Sequence, residues 1–511
     1  MPAVIAVDAG TTGVRSFAVD EAGRPLGFSY RELTQHFPRP GWVEHDPIEI
    51  RDAVGATLAE LAERLEAEGR TVAAVGITNQ RETVVAWDRR TGRPHHRALV
   101  WQDRRTAARC DELRDQGLEP MVRRATGLVL DPYFSATKME WLLTEGGVEA
   151  SGDLALGTVD AWVAWNLTGG AGGGVFVTDP GNASRTLVFD IGSLAWSDEL
   201  CAIFGVPPGC LPEVRPSCGR LGLTVPGAAG GLAVPVAGIA GDQQAALFGQ
   251  ACFSPGMTKN TYGTGSFVLM NLGPSRPEPV EGLLTTVAWD LGPRGGVAYA
   301  LEGAIFVTGA AIQWLRDCLG LIADAAETGP LAATVTDTEG VYLVPAFTGL
   351  GSPYWDPYAR GALLGLSRGV GRAHLARAAV EAMAHQTREV VETMQAAGGI
   401  TISELRADGG AAVMDVLCQF QADLLRVPVR RPVVAETTAL GAAYLAGLAE
   451  DVWSSPGEVA AQWLCEAEFL PAMREAEGDR RQAAWRRAVE RTRAFPPADQ
   501  PVADSGALEE E

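Results

Sequence analysis

The stretch Ala3–Asp20 reads AVIAVDAGTTGVRSFAVD, in which two apolar runs flank the turn Gly10-Thr-Thr-Gly13. We predict one strand over residues 3–8, a second over residues 14–19 and a tight hairpin between them. Such a Gly-rich turn presents backbone N–H groups and hydroxyls, which bind anions without a lysine. By itself the turn is weak evidence, because Gly-Thr also forms ordinary hairpins.

The same pattern returns in the second half of the chain. Residues 258–262 and 266–270 are predicted strands that flank Gly263-Thr-Gly265. The repeat indicates two related α/β domains, which we place at residues 1–250 and 251–496. Two such turns, one in each domain, are suited to clamp a polyphosphate between them. The acidic residues 497–511 are predicted to be a disordered tail.

Apolar periodicity predicts helices between these strands. A helix over residues 47–68 has Asp46 as its N-cap, and further helices are predicted over 304–318, 373–394 and 415–425. The stretch 439–448 is rich in Ala and Gly, which indicates that another element packs closely against it.

The composition excludes several classes of protein. A net charge of −21 disfavours nucleic acid and anionic membranes as partners. No apolar run approaches the length that a membrane span needs, and MPAVIAVDAG is not a signal peptide, so we expect a cytoplasmic protein without membrane insertion. Of the basic residues 40 are arginines and two are lysines, and neither lysine lies in a P-loop or protein-kinase motif. A bound nucleotide would therefore be held by amides, hydroxyls and arginines.

One carboxylate follows a strand and opens a helix. The stretch Val234–Gly249 reads VPVAGIAGDQQAALFG. Asp242 is either the N-cap of the helix that follows or a catalytic carboxylate at the mouth of a cleft, and the local pattern alone favours the cap.

Carboxylates also accompany the Gly-rich turns. Asp8 leads into the first turn, and because a carboxylate beside phosphates is repelled, Mg²⁺ is the natural counter-ion there. Arg15 can offset phosphate charge. Residues 408–411 (DGGA) precede a predicted helix, whose N-terminus favours an anion or a polar nucleotide edge.

Longer motifs identify a family. GITNQRET at 76–83, LDPYFSATK at 130–138, TDPGNASRT at 178–186, GIAGDQQAALFGQ at 238–250, KNTYGTGSF at 259–267 and IFVTGAAIQWLRD at 305–317 resemble the FGGY carbohydrate kinases. The resemblance extends from about residue 3 to residue 495 and is nearest to the members that phosphorylate glycerol. It implies two actin-like or hexokinase-like (ribonuclease-H-like) α/β domains with a catalytic cleft between them.

The resemblance also implies an activity and a set of site residues. The activity is ATP-dependent phosphorylation of glycerol to sn-glycerol 3-phosphate, with Asp242 as general base and ATP and Mg²⁺ as cofactors. The implied polyol-binding residues are Arg81, Glu82, Trp101, Tyr133, Asp242, Gln243 and Phe267. The implied nucleotide-binding residues are Thr11, Thr12, Gly13, Arg15, Thr264, Gly309, Gln313, Gly410 and Met414. The implied Mg²⁺ ligands, largely through water, are Asp8 and Asp242. Relatives form homodimers and homotetramers, so we expect one of these assemblies.

Three positions depart from the family pattern. Gly13 replaces a serine whose hydroxyl contacts phosphate, and from this we expect weaker nucleotide binding. Met414 stands near the position of an Asn beside the adenine. Ala233 replaces an arginine that helps to bind fructose 1,6-bisphosphate in many bacterial members, so we expect little or no inhibition by that compound.

Two other functions stay open at this point. The protein could phosphorylate another small polyol or a ketose, although Arg81-Glu82 with Trp101 and Tyr133 favours a small triol. It could instead be an actin-like ATPase without an acceptor, which would explain the Gly-Thr turns but not the polyol-binding residues.

Overall fold

The computed structural model describes residues 2–493, which form two large β-sheets with helices on their faces. The tail predicted at residues 497–511 lies outside the described residues. Within the described range, no helix is both long enough and apolar enough to cross a bilayer.

Numbered along the chain, the strands are β1 (Pro2–Ala9), β2 (Gly13–Asp20), β3 (Pro25–Glu32), β4 (Glu44–His45), β5 (Thr71–Asn79), β6 (Val84–Asp88), β7 (Ala98–Leu99), β8 (Leu154–Thr158), β9 (Val177–Thr178), β10 (Phe189–Asp190), β11 (Ala195–Trp196), β12 (Glu213–Val214), β13 (Cys218–Leu223), β14 (Pro235–Gly241), β15 (Met257–Tyr262), β16 (Ser266–Gly273), β17 (Leu284–Asp290), β18 (Val297–Ile305), β19 (Tyr342–Val344), β20 (Ala362–Leu364), β21 (Glu404–Asp408), β22 (Val429–Pro432) and β23 (Cys465–Phe469).

The α-helices, in the same order, are α1 (Pro47–Ala67), α2 (Ala107–Asp115), α3 (Glu119–Thr126), α4 (Ser135–Thr144), α5 (Val159–Leu167), α6 (Pro180–Ala183), α7 (Asp198–Ile203), α8 (Asp242–Gly249), α9 (Gly309–Asp317), α10 (Thr328–Ala333), α11 (Arg372–Gly398), α12 (Asp415–Leu425), α13 (Thr437–Ala449), α14 (Pro456–Gln462) and α15 (Glu475–Arg493).

The two large sheets share one topology. The first has the order β13-β14-β5-β1-β2-β3, with β1, β2 and β3 antiparallel and with β5 and β14 parallel to β1. In the second, β15, β16 and β18 form the antiparallel part, and β21 and β22 continue it in parallel. The hairpin repeat in the sequence therefore reflects a repeat of the whole sheet, and the predicted α/β fold with two related sheets is confirmed.

Strand β1 lies at the centre of the first sheet and is covered on both faces. Alternate residues enter different apolar clusters, Ile5 and Val7 on one face and Val4 and Ala6 on the other. This double burial explains why the strand is an almost continuous apolar run rather than an alternating one.

Helix α1 covers one of these faces, and it begins at Pro47 after the predicted N-cap Asp46. The Asp46 side chain accepts a hydrogen bond from the Ile48 N–H at 2.8 Å, and Pro47 occupies the first turn, where no N–H is needed. The buried face repeats at helical spacing and comprises Ile50, Val54, Leu58, Leu61 and Leu65.

The prediction of one helix over residues 304–318 is wrong at its start. Ala304 and Ile305 end β18, where Phe267 pairs with Ala304, and α9 begins only at Gly309. Apolar residues continue from the strand into the helix, so periodicity alone did not separate them.

The core of the first sheet takes residues from both ends of the chain. Helix α13 packs against β1, β5 and β14, although it lies in the second half of the sequence. Leu440, Tyr444 and Trp453 share a cluster with Val4 and Ala6. The division into residues 1–250 and 251–496 stays a prediction.

Candidate active site

Both Gly-Thr turns are closed by backbone hydrogen bonds at the ends of equivalent strands. The Gly10 N–H donates to the Gly13 carbonyl at 3.0 Å, and the Gly263 N–H donates to the Gly265 carbonyl at 2.8 Å. The N-terminus of α9 packs against the second turn, where the N–H groups of Thr308 and Ala310 donate hydrogen bonds to the Thr264 carbonyl. The two turns join equivalent pairs of strands, β1 to β2 and β15 to β16, so they lie at the same strand ends of the two sheets.

A cavity of about 750 Å³ opens beside the second turn. It collects five of the predicted nucleotide-binding residues, namely Thr264, Gly309, Gln313, Gly410 and Met414. The remaining four, Thr11, Thr12, Gly13 and Arg15, lie on the first hairpin and do not line this cavity. The volume is in the usual range for a small-molecule site. Met414 gives one wall of the cavity an apolar surface.

The first hairpin carries two opposite charges on one of its faces. Asp8 and Arg15 are directly paired across β1 and β2, and Arg15 forms an ion pair with Glu436. Burial, and after it the charge of Asp242, raises the pKa of Asp8 to about 7, while Arg15 acts in the opposite direction. A buried acid held in this way gains from a nearby cation.

Arg81 and Glu82 follow β5 and are both almost completely buried. The Thr83 N–H donates to the Arg81 carbonyl at 2.7 Å, and Glu82 between them has φ +60°. This is the geometry of a strained γ-turn, and strain of this kind persists where the surrounding structure imposes it. The turn presents two consecutive side chains to the same site.

Arg81 contacts three of the predicted polyol-binding residues, and a fourth, Trp101, is reached through Tyr133. Its Nη2 donates to the Tyr133 hydroxyl at 3.2 Å, its Nε lies 3.2 Å from Asp242 Oδ1, and its Cζ lies 5.9 Å from the Phe267 ring centre. The Trp101 ring meets Tyr133 edge to face at 5.6 Å. These side chains form one continuous wall.

Three buried charged residues of this site were missed in the sequence. Arg185 Nε donates to Glu82 at 2.7 Å and its Nη2 donates to Glu302 at 2.9 Å, while Arg81 Nη1 donates to Glu302 at 2.6 Å. Lys259 Nζ donates to the Gln243 side chain. A single acid inside the apolar run of β18 was the one signal for Glu302, and Arg185 stands inside a family motif.

Each cation of the cluster interacts with at least one carboxylate. Arg81, Arg185 and Lys259 face Glu82, Glu302 and Asp242. Burial alone raises the pKa of Glu302, but Arg185 and Arg81 lower it to about 2, so this carboxylate stays ionised. Burial lowers the pKa of Lys259 to about 8, against the opposing charges of Asp408 and Asp242. Balanced pairing is what allows these charges to be buried.

Asp242 is the first residue of α8, and the prediction that it is the N-cap is wrong. Gly241 occupies the cap position, and Asp242 Oδ1 accepts from the N–H of its neighbour Gln243 at 2.7 Å. The Asp242 side chain is 33% exposed, whereas Arg81 is 2% exposed. Burial raises the pKa of Asp242, and Arg81 and Lys259 offset this rise in part. The carboxylate is thus partly open to solvent, and its charge depends on its cationic neighbours.

Two family models match most of the chain. The N-terminal domain model of the FGGY family of carbohydrate kinases matches residues 3–249, and the C-terminal domain model matches residues 258–450. The chain belongs to the FGGY family of carbohydrate kinases.

Individual relatives show which members of the family this chain is similar to. The chain is 53% identical to a glycerol kinase of Carboxydothermus hydrogenoformans, covering 96% of this chain and 98% of the relative. A crystal structure of Plasmodium falciparum glycerol kinase with ADP has a TM-score of 0.91 and 34% identity, with 96% of this chain and 98% of that chain covered. A xylulose kinase from Rhodospirillum rubrum has a TM-score of 0.85 and 26% identity, with 96% and 98% covered.

Proposed function

We propose that this protein transfers the γ-phosphoryl group of ATP to glycerol, giving sn-glycerol 3-phosphate and ADP. The observation that carries the proposal is the buried Arg81-Glu82 pair with Asp242 Oδ1 at 3.2 Å from Arg81 Nε. An actin-like ATPase has no need of a buried donor and acceptor pair for adjacent hydroxyls. The identity with glycerol kinases supports glycerol over a larger acceptor.

The polyol is held by complementary hydrogen bonds. Arg81 donates and Glu82 accepts, and a glycerol hydroxyl has both capacities. Tyr133 and Gln243 complete the set, and Trp101 and Phe267 cover the carbon chain. Because these groups are fixed by their own partners before substrate arrives, little reorganisation is needed on binding.

Asp242 accepts the proton of the attacking hydroxyl as the new O–P bond forms and the bond to the ADP oxygen breaks. Its raised pKa makes it a stronger base than an ordinary Asp. Phosphoryl transfer depends chiefly on positioning and charge neutralisation, so a carboxylate in this place suffices. Binding between the two sheets also excludes water, which would otherwise compete as an acceptor.

The residues present suit a Mg²⁺ ion bound with the nucleotide. No group of three or more His, Cys, Asp or Glu residues suited to hold a metal occurs within residues 2–493. Mg²⁺ commonly takes only one or two carboxylates and completes its shell with phosphate oxygens and water. Asp8 and Asp242 would supply these carboxylates, which lie near enough for the charge of Asp242 to raise the pKa of Asp8. When bound, the ion would neutralise phosphate charge.

The acceptor is identified by measuring ADP release from MgATP with glycerol, dihydroxyacetone, erythritol, xylulose or no acceptor. We expect rapid release with glycerol and much slower release with the others. Preference for xylulose would assign the protein to the sugar kinases of the family. Equal release without any acceptor would make it an ATPase and would refute the proposal.

A further inference from the structure

Position 13 in the first Gly-Thr turn has no room for a side chain. A Cβ atom on Gly13 would overlap the phenol oxygen and Cζ of Tyr30, and it would lie 2.5 Å from the Arg31 carbonyl oxygen. Backbone freedom does not explain this glycine, because its φ is not positive. What excludes other residues is the approach of β3, and above all the Tyr30 ring.

The register of β2 and β3 explains how Tyr30 reaches this place. Tyr30 pairs directly with Arg15, and Gly13 is two residues from Arg15 on the same face of β2. The ring leans diagonally along this face, with the Arg15 guanidinium 5.7 Å from the ring centre. Its hydroxyl donates to the Thr12 carbonyl at 3.2 Å, inside the turn itself.

The Tyr30 hydroxyl thus occupies the space that a side chain at position 13 would fill. It lies on the same face as Asp8 and Arg15, the charged residues of the first hairpin. Tyr30 is 39% exposed, so the phenol is accessible. A hydroxyl is therefore present beside the turn although residue 13 carries none.

We propose that Tyr30 is a nucleotide-binding residue whose phenol donates a hydrogen bond to a phosphate oxygen of the bound nucleotide. On binding, the hydroxyl proton turns from the Thr12 carbonyl to the phosphate. Gly13 and Tyr30 then act as a matched pair, in which the loss of a side chain at one position makes room for the hydroxyl of the other. The inference rests on the proposed function, because it needs a polyphosphate at the first Gly-Thr turn.

The test is Tyr30→Phe, which removes the hydroxyl and keeps the ring. A hydrogen bond to a charged group is commonly worth enough that its loss weakens binding about tenfold. We expect the KM for MgATP and the Kd for MgADP, measured by calorimetry, to rise about tenfold. The Kd for adenosine and the KM for glycerol should stay unchanged. Tyr358→Phe is the matched control, since Tyr358 is 58% exposed and does not line the cavity at the second turn.

Two results would overturn the proposal. One is an unchanged Kd for MgADP in Tyr30→Phe. The other is an equal loss of adenosine affinity, which would mean that the substitution disturbs the cavity rather than a phosphate contact. Failure of the proposed function is recognised separately, because the unaltered protein would then release no ADP in response to glycerol.

Discussion

Asp242 lies where burial and two cations act on its charge in opposite directions. Burial raises the pKa of its carboxyl, and Arg81 and Lys259 lower it. The base must be ionised to accept a proton, so activity falls as the pH drops through its pKa. Because that pKa is raised, we expect the acid limb of kcat/KM for glycerol at a higher pH than an ordinary Asp would give.

Replacing Lys259 by Met should move the acid limb of the kcat/KM profile to a still higher pH. Loss of the cation raises the pKa of Asp242, so the acid limb of the pH profile shifts upward, by about one unit for a close charge. The KM for glycerol should also rise, because Gln243 loses the Lys259 contact that orients it.

Lys138→Met is the matched control for this change. Lys138 is equally buried, but its Nζ donates to the carbonyls of Pro132, Tyr133 and Phe134. Its loss should lower stability and leave the acid limb in place. An acid limb that does not move in Lys259→Met would show that Lys259 has no electrostatic effect on the base.

Sequence reasoning found the proposed substrate-binding residues more readily than the residues that hold them in place. Arg81, Glu82 and Asp242 stand in recognisable motifs. Their counter-charges are Arg185 and Glu302. Arg185 is more than 100 residues along the chain from both Glu82 and Glu302, but in the folded structure its guanidinium lies 2.7 Å from the Glu82 carboxylate and 2.9 Å from the Glu302 carboxylate. Each residue left a weak local signal, but the pairing between distant segments leaves none, so only the fold reveals which charges meet.

The backbones of helices α8 and α13 are in direct contact at two glycines. A Cβ atom on Gly441 would overlap the Ala245 carbonyl oxygen, and one on Gly249 would overlap the Thr437 carbonyl oxygen. The Ala and Gly content of residues 439–448 predicted such a close contact, and the structure confirms it. Since α8 begins with Asp242, the contact also fixes the position of the base.

Gly441→Ala should therefore affect both stability and activity. Overpacking of this kind commonly costs about 1–3 kcal/mol, and a rigid backbone contact places this site at the upper end. We expect a lower denaturant midpoint and a lower kcat, since α8 must move away from α13.

Gly457→Ala is the control for that measurement. Gly457 lies in the first turn of α14, where a Cβ would meet nothing closer than the Ser455 hydroxyl at 3.6 Å. It should leave both quantities unchanged. If Gly441→Ala behaved in the same way, the close packing of the two helices would have no role in placing Asp242.

The two sheets are joined by the buried charges between them. Arg81 follows β5 of the first sheet, whereas Glu302 lies on β18 of the second, and Arg185 binds both Glu302 and Glu82. The proposed polyol site is thus part of the interface that joins the two sheets. The topological repeat was predictable from the two hairpins, but this bridge between the sheets was not.

Glu302→Gln removes the central anion of that bridge. The substitution leaves the positive charges of Arg81 and Arg185 buried without enough negative charge to pair with them. The loss of one partner from a buried ion pair commonly lowers the free energy of unfolding by about 3–5 kcal/mol. The pKa of Glu302 is lowered to about 2 in the folded protein, so its contribution is present above the ordinary pKa of 4.5 and is lost as the pH falls toward 2. The gap in unfolding free energy between variant and parent should shrink over that range.

Urea unfolding at pH 7 and at several values below pH 4.5 measures this gap. Glu60→Gln is the control, because Glu60 is 44% exposed and pairs with Arg31 at the surface, where such pairs contribute about 0–1 kcal/mol. A gap for Glu302→Gln as small as that of Glu60→Gln would contradict the bridging role.

The most direct measurement compares glycerol binding and ADP release in the parent and in Asp242→Asn. Asn keeps the size of the side chain and removes the base, so glycerol-dependent ADP release should fall by at least about 100-fold. The Kd for glycerol, measured by calorimetry, should stay within a few-fold, because Arg81 and Glu82 are retained. Turnover within about tenfold of the parent would show that Asp242 is not the base that accepts the glycerol proton.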